Sequence, residues 1–317
     1  MRVHRSILVL LAAAAVACTG GDAQESGEAP GASSASDTPP LSIYVVNYPL
    51  GFFTERIGGD AVAVTFPAPA GEDPAYWSPG PETVAAYQGA DLILLNGADY
   101  AKWVAQSSLP SAKLVDTGAA YEDRLIPLEE AVTHAHGPEG EHAHGGLAFT
   151  TWLDSTLARE QARAIAGALE KARPAQAGAF RERLALLEAD LDGLDTRLET
   201  ATAGLGDAPV VFSHPVYQYV EARYRLNGHS VHWEPDAEPG EREWAELEDW
   251  LKENPARWMV WESEPLPSVA TRLREVGVES VVFDPCANAP EQGDFVSVMR
   301  SNADRVETAW TTPATGP

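Results

Sequence analysis

Residues 157–205, LAREQARAIAGALEKARPAQAGAFRERLALLEADLDGLDTRLETATAGL, decide the fold of this chain. In the second half, Phe180, Leu184, Leu187, Leu191, Leu194 and Leu198 recur at alternating spacings of four and three, which sets them on one stripe of an α-helix. Arginines and acids fill the other face. Proline is excluded from a helix interior, so Pro174 divides the tract into a shorter helix over Leu157–Ala172 and a longer one from about Ala175 to Ala203–Gly204. At 1.5 Å per residue the longer piece spans roughly 40 Å, enough to run behind two lobes. One strand of a coiled coil would show more heptads and denser charge pairing beside the seam, so an intramolecular strut over 155–205 is expected.

Outward from the strut, the same plan occurs on both sides. Before it, strands are expected at Leu41–Val46, Ala61–Phe66, Asp91–Leu95 and Lys113–Val115, with short helices at Phe52–Ile57 and Thr83–Gln88. The stretch Pro67–Pro81, rich in Pro and Gly, is expected to be irregular and carries Asp73, Pro74, Ala75, Tyr76 and Trp77. After it, strands are expected at Val210–Phe212, Ser230–Trp233, Trp258–Trp261 and Ser280–Phe283. Helices fall at Tyr217–Tyr224, Glu243–Glu253, Val269–Val276 and Asp294–Val306. Strands alternating with helices imply α/β lobes with mainly parallel sheets, here over 41–154 and 206–317, with a ligand cleft between them.

The 317 residues, 44% of them hydrophobic, suffice for two such lobes. A formal charge of -25 argues against nucleic acid or an anionic membrane surface as partner. At the amino terminus, a short basic segment (Met1–Arg5) precedes an apolar run (Ser6–Val16) and Ala15-Val16-Ala17-Cys18. This reads as a secretory signal, residues 1–18, whose processing leaves Cys18 lipid-modified; a plain cleavable signal is the alternative. The apolar run is too short to span a bilayer. Residues 19–40 lack large apolar side chains and are expected to be a flexible tether. The only other cysteine, Cys286, has no partner for an internal disulfide in the mature chain. It is a possible soft metal donor, or a buried and inert thiol.

Ligands of open α/β sheets sit beyond the carboxyl ends of the strands. His214, Glu262 and Asp284 each hold that position in the second lobe. Four of the eight histidines, His134, His136, His142 and His144, lie in one stretch, 133–146, with Glu139, Glu141, glycines and a proline. The composition predicts an irregular, flexible chelating loop, suited to borderline metals such as zinc, copper or nickel. His229 and His232, flanking the strand expected at Ser230–Trp233, read as surface or strand-edge residues.

Several short motifs in this order carry a resemblance: Tyr48-Pro49-Leu50, Ile57-Gly58-Gly59-Asp60, Asp73-Pro74, Ala90-Asp91-Leu92 with Asn96-Gly97, the histidine-rich stretch, Trp152-Leu153-Asp154, Ser213-His214 with Tyr219 and Tyr224, and Asp284-Pro285. Together they resemble the metal-binding solute-binding proteins of bacterial ABC importers, the zinc and manganese uptake type. The resemblance implies two α/β lobes joined by one long helix, with a metal between them on three histidines, or two and a carboxylate, and a further acid. His214 matches the second-lobe histidine and Asp284 the carboxylate. Where that family has Asp-Pro-His this chain has Asp73-Pro74-Ala75, and Thr150 stands where it has a histidine two before Trp-Leu-Asp.

Three readings follow. In the first, His134, His136, His142 or His144 complete a Zn2+ site anchored on His214 and Asp284, or serve as an antenna for it. In the second, the cleft takes a metal chelate or an organic cation on the faces of Trp77, Trp152, Trp233 and Trp261. In the third, His214, Glu262 and Asp284 form a metal-dependent hydrolytic centre with Glu262 as base, for which no nucleophile motif or phosphate loop is present. The first defines the expectation: a monomeric, lipid-anchored, extracytoplasmic protein, not an enzyme, that captures zinc or another divalent transition metal for an ABC permease. A periplasmic metal buffer would have the same sequence features.

Overall fold

A computed structural model of the chain describes residues 38–135 and 141–311. The proposed signal, Cys18 and His136 lie outside the described residues.

The first sheet has four parallel strands in the order β2-β1-β3-β4, where β1 is Leu41–Val45, β2 Val62–Thr65, β3 Leu92–Leu95 and β4 Leu114–Asp116. Helix α1 (Tyr48–Gly58) starts where Asn47 accepts a hydrogen bond from the Leu50 amide, with Pro49 in the first turn, and buries Leu50, Phe53 and Ile57. Helix α2 (Pro81–Gly89) crosses from β2 to β3. The second sheet is also parallel, ordered β10-β9-β7-β8: β7 is Pro209–Phe212, β8 Asn227–Ser230, β9 Trp258–Trp261 and β10 Glu279–Val282. Its crossover helices are α5 (Gln218–Tyr224), α6 (Glu241–Glu253) and α7 (Pro267–Glu275), and α8 (Phe295–Thr311) follows the last strand.

Between the sheets run α3 (Ser155–Ala172), capped by the Asp154 carboxylate on the Thr156 amide, and α4 (Ala177–Thr202). Phe180, Leu187, Leu191, Leu194 and Leu198 of α4 are buried, while Leu184 is half-buried. The stripe packs on α1, α3 and α8, elements of both lobes, and so joins the first-lobe core to one face of the second sheet in a single apolar cluster, while the other face of that sheet has its own around Trp244, Met259 and Trp261. Burying each such leucine contributes about 2 kcal/mol. The long helix is thus a wall shared by two lobes.

Two expectations need correction. Residues 133–135 and 141–146 are not irregular: β5 (Pro127–Ala135) and β6 (Glu141–Leu147) form an antiparallel ribbon with His134 opposite His142 and Val132 opposite His144. Glycine and proline terminate strands but do not forbid them when a partner strand supplies the hydrogen bonds. The edge strand expected at Ser230–Trp233 is instead Asn227–Ser230, which moves His232 and Trp233 off the strand and into the loop beyond its carboxyl end.

A seam of hydrogen bonds joins the lobes. Thr150 Oγ1 donates to Val216 O (2.6 Å), Trp152 Nε1 to Pro285 O (2.8 Å) and Tyr219 OH to Ala148 O (3.0 Å). The Ile126 amide in turn donates to the Tyr219 hydroxyl at 3.3 Å, so this side chain of α5 clamps the foot of the β5-β6 ribbon.

Candidate metal site

In the second sheet the strand order reverses between β7 and β9, since β8 follows β7 on one side and β9 lies on the other. His214 follows β7 by two residues and Glu262 follows β9 by one, so the two meet in the crevice at this reversal. Their contact is a 3.0 Å hydrogen bond between His214 Nδ1 and Glu262 Oε1. The imidazole is only 4% exposed. Its Nε2 faces Glu234, with Oε1 3.9 Å away. Burial pulls the His214 pKa down, but the hydrogen bond and charge of Glu262, with the charges of Glu234 and Asp73, outweigh it and raise the pKa above 6.5. Asp73 belongs to the first lobe, so the site is electrostatically a two-lobe site.

The segment after β8 is laid along β7. The Val231 amide donates to Phe212 O and the Trp233 amide to Ser213 O at 2.7 Å. His232 therefore stands beside His214, with ring centroids 6.0 Å apart and planes at 83°. Burial, and then the neighbouring His214 charge, hold its pKa down, which favours the neutral imidazole. Sequence reasoning missed His232 and Glu234. The available signal was His232-Trp233-Glu234-Pro235 at the end of a strand, obscured by setting the strand three residues late.

Asp284 follows β10, two strands from β7. Its Oδ1 accepts from the Cys286 amide at 2.7 Å, and its amide donates to Asn302 Oδ1. Burial raises its pKa, against the opposing pull of the Cys286 amide and the Arg305 charge. It borders a cavity of about 310 Å³ formed with Pro290, Glu291, Ser297, Ser301 and Arg305, which does not include His214. Cys286 is 2% exposed and its thiol pKa is driven far up by burial, so it is an inert thiol. His229 lies within β8 and stacks on Trp250, with centroids 4.4 Å apart.

The two first-lobe departures are structural. Ala75 is buried, its amide held by Asp73 Oδ1 (2.8 Å), and the Thr150 hydroxyl is committed to Val216. At the equivalent reversal of the first sheet, between β1 and β3, Asn47 Nδ2 donates to Asn96 Oδ1, which also accepts from Gln161. Trp152, Trp233 and Trp261 are at most 3% exposed. They pack on Tyr100, Trp244 and one another, which takes these three rings out of reach of an organic cation and leaves only the half-buried Trp77 of that reading. Among the described residues no three His, Cys, Asp or Glu side chains already stand where they could hold a metal ion together. The backbones of His134, His142 and His144 are placed on the ribbon.

Two parallel α/β lobes stand on a shared helical wall, with an imidazole–carboxylate pair at the strand-order reversal, and the family match gives the class as a two-lobed solute-binding protein of the metal-binding ABC-importer type. Residues 43–309 match the family described as ZnuA, the periplasmic zinc-uptake complex component A, and the chain belongs to that family. The zinc-binding lipoprotein AdcA of Streptococcus pneumoniae is 26% identical over 273 residues, covering 83% of this chain and 54% of that protein. The high-affinity zinc uptake system protein ZnuA of Bacillus subtilis is 25% identical over 322 residues, covering 96% of this chain and 95% of its own. The Zn(II)-bound ZnuA-like domain of the pneumococcal AdcA has the same fold, with a TM-score of 0.72 over 86% of this chain and all of that domain, at 22% identity. The chain spans about half the length of the AdcA relatives it matches.

Proposed function

We propose that this chain is a lipid-anchored, extracytoplasmic binding protein that captures a divalent transition metal, zinc foremost, and delivers it to an ABC permease. The observation that carries the reading is His214, buried at the strand-order reversal with its Nδ1 held by Glu262. A carboxylate on one ring nitrogen sets the tautomer and leaves the other nitrogen basic toward a metal, as it commonly does for zinc-binding histidines. Imidazole donors favour zinc over manganese or magnesium. Family membership and the zinc-binding names of the relatives support the same cargo.

The foot of the ribbon lies against the segment that carries the site, because Tyr219 bonds Ile126 and Ala148 while Thr150 bonds Val216. His134, His136, His142 and His144 act as collecting donors. Cys18 carries the lipid, the protein works as a monomer, and binding involves no covalent chemistry. The test is calorimetry with Zn2+ on the mature chain and on His214→Ala. Tight one-to-one binding that is lost in the variant supports the proposal. Equal affinity in both, or no tight binding to the natural chain, refutes it.

A further inference from the structure

The proposed function leaves open which carboxylate opposes His214. The family resemblance implies Asp284, but strand order separates Asp284 from His214. Adjacent strands lie about 4.8 Å apart, so the ends of β7 and β10, two positions apart, are separated by roughly 10 Å. Glu234 follows β8, the immediate neighbour of β7 on the opposite side.

The distances favour Glu234. With zinc bonds to N and O of about 2.0–2.2 Å, two donors on a tetrahedron stand roughly 3.4 Å apart. His214 Nε2 and Glu234 Oε1 are 3.9 Å apart, too long for a hydrogen bond and about 0.5 Å wider than such a donor pair. The Glu234 side chain is 28% exposed and lies in the loop beyond β8. The other side of the imidazole is already occupied by Glu262 on Nδ1, which gives Glu262 the orienting role in place of ligation. His232 stands edge-on to His214, and the charge of Asp73 reaches the ring from the first lobe.

Resting on the metal-capture reading above, we infer that the ion is held between Nε2 of His214 and the carboxylate of Glu234, with His232 as the next donor and Glu262 as the positioning residue. The site is a rebuilt one. Its weight has moved to the β7, β8 and β9 ends of the second lobe, away from the first-lobe positions of Ala75 and Thr150. The ligand class is a bare divalent transition ion with borderline character.

The experiment is a Zn2+ competition titration against a chromophoric chelator, with Co2+ absorption as a readout of coordination geometry, on the mature chain, Glu234→Gln, His232→Gln and Asp284→Asn. Thermal melts without metal check that each variant is folded. The inference expects Glu234→Gln to weaken zinc by more than about 100-fold, beyond the loss of an outer-shell partner, and to change the cobalt spectrum. It expects Asp284→Asn to cost less than about tenfold, with the cobalt spectrum unchanged. If Asp284→Asn abolishes binding while Glu234→Gln keeps it, this ligand set is wrong and the metal-capture reading stands. If the natural chain takes up neither ion tightly, both fall. Should Glu234→Gln fail to fold, Glu234→Asp, which keeps the carboxylate but shortens its reach, must still shift the cobalt bands; an unchanged spectrum overturns the assignment.

Discussion

The hydroxyl of Thr150 donates to the carbonyl oxygen of Val216 across the seam between the lobes, over 2.6 Å, at the position where the family resemblance implies a metal-ligating histidine. Both partners of this bond are in buried or nearly buried surroundings, so removing the donor leaves a carbonyl without its partner. Thr150→Ala is expected to cost about 1–3 kcal/mol in urea unfolding and to leave zinc affinity unchanged. A large loss of affinity at unchanged stability would mean that Thr150 touches the metal.

Glu262 acts on the metal through His214. Glu262→Gln is expected to weaken zinc by about 10–100-fold. It also has a pH signature. Metal needs the neutral imidazole, and Glu262 helps to hold the His214 pKa above 6.5, so in the natural chain zinc affinity falls as the pH drops through a value higher than that of a free histidine. Removing the carboxylate charge shifts that fall to lower pH. Competition titrations across the range check both effects; a parallel pH profile in the variant would rule out the positioning role.

Glu221 of α5 is half-buried against Gly228 of β8, where a Cβ would collide with its carboxylate. Burial raises its pKa from 4.5 to about 7. An acid whose folded pKa is raised binds more protons in the native state between these values, so its penalty is absent below about 4.5, grows as the pH rises, and is complete above about 7. The shift corresponds to at most about 3 kcal/mol. Glu221→Gln is therefore expected to match the natural chain in stability at pH 4 and to exceed it at pH 8, measured by urea midpoints. Equal stabilities at pH 8 would contradict the buried-acid assignment.

Replacing His134, His136, His142 and His144 together by serine separates antenna from site. Calorimetry is expected to lose the weaker zinc-binding events while retaining the tight one. Loss of the tight event would move ligation to the ribbon.

Cys18→Ala tests the anchor. The natural chain is expected in the membrane fraction with a diacylglyceryl mass increment on its processed amino terminus, and the variant in the soluble extracytoplasmic fraction. Equal partitioning would favour the plain cleavable signal.

The sequence by itself determined the local elements. The apolar stripe through Phe180 and Leu198, the proline that splits the tract, and the apolar runs that end at Phe212 and Trp261 depend on near-neighbour sterics and periodicity, and the structure contains the corresponding helices and strands. It also placed His214 and Glu262 at strand ends, where open sheets bind ligands. Only the tertiary structure decided which strand ends are neighbours. The order β10-β9-β7-β8 puts β10 and Asp284 at one edge and brings the loop of His232 and Glu234 beside His214. That order is set by sheet pairing between segments distant in the chain, which leaves no local trace. The β5-β6 ribbon is of the same kind: a stretch of histidines and glycines has no strand preference of its own, and cross-strand hydrogen bonds supply it.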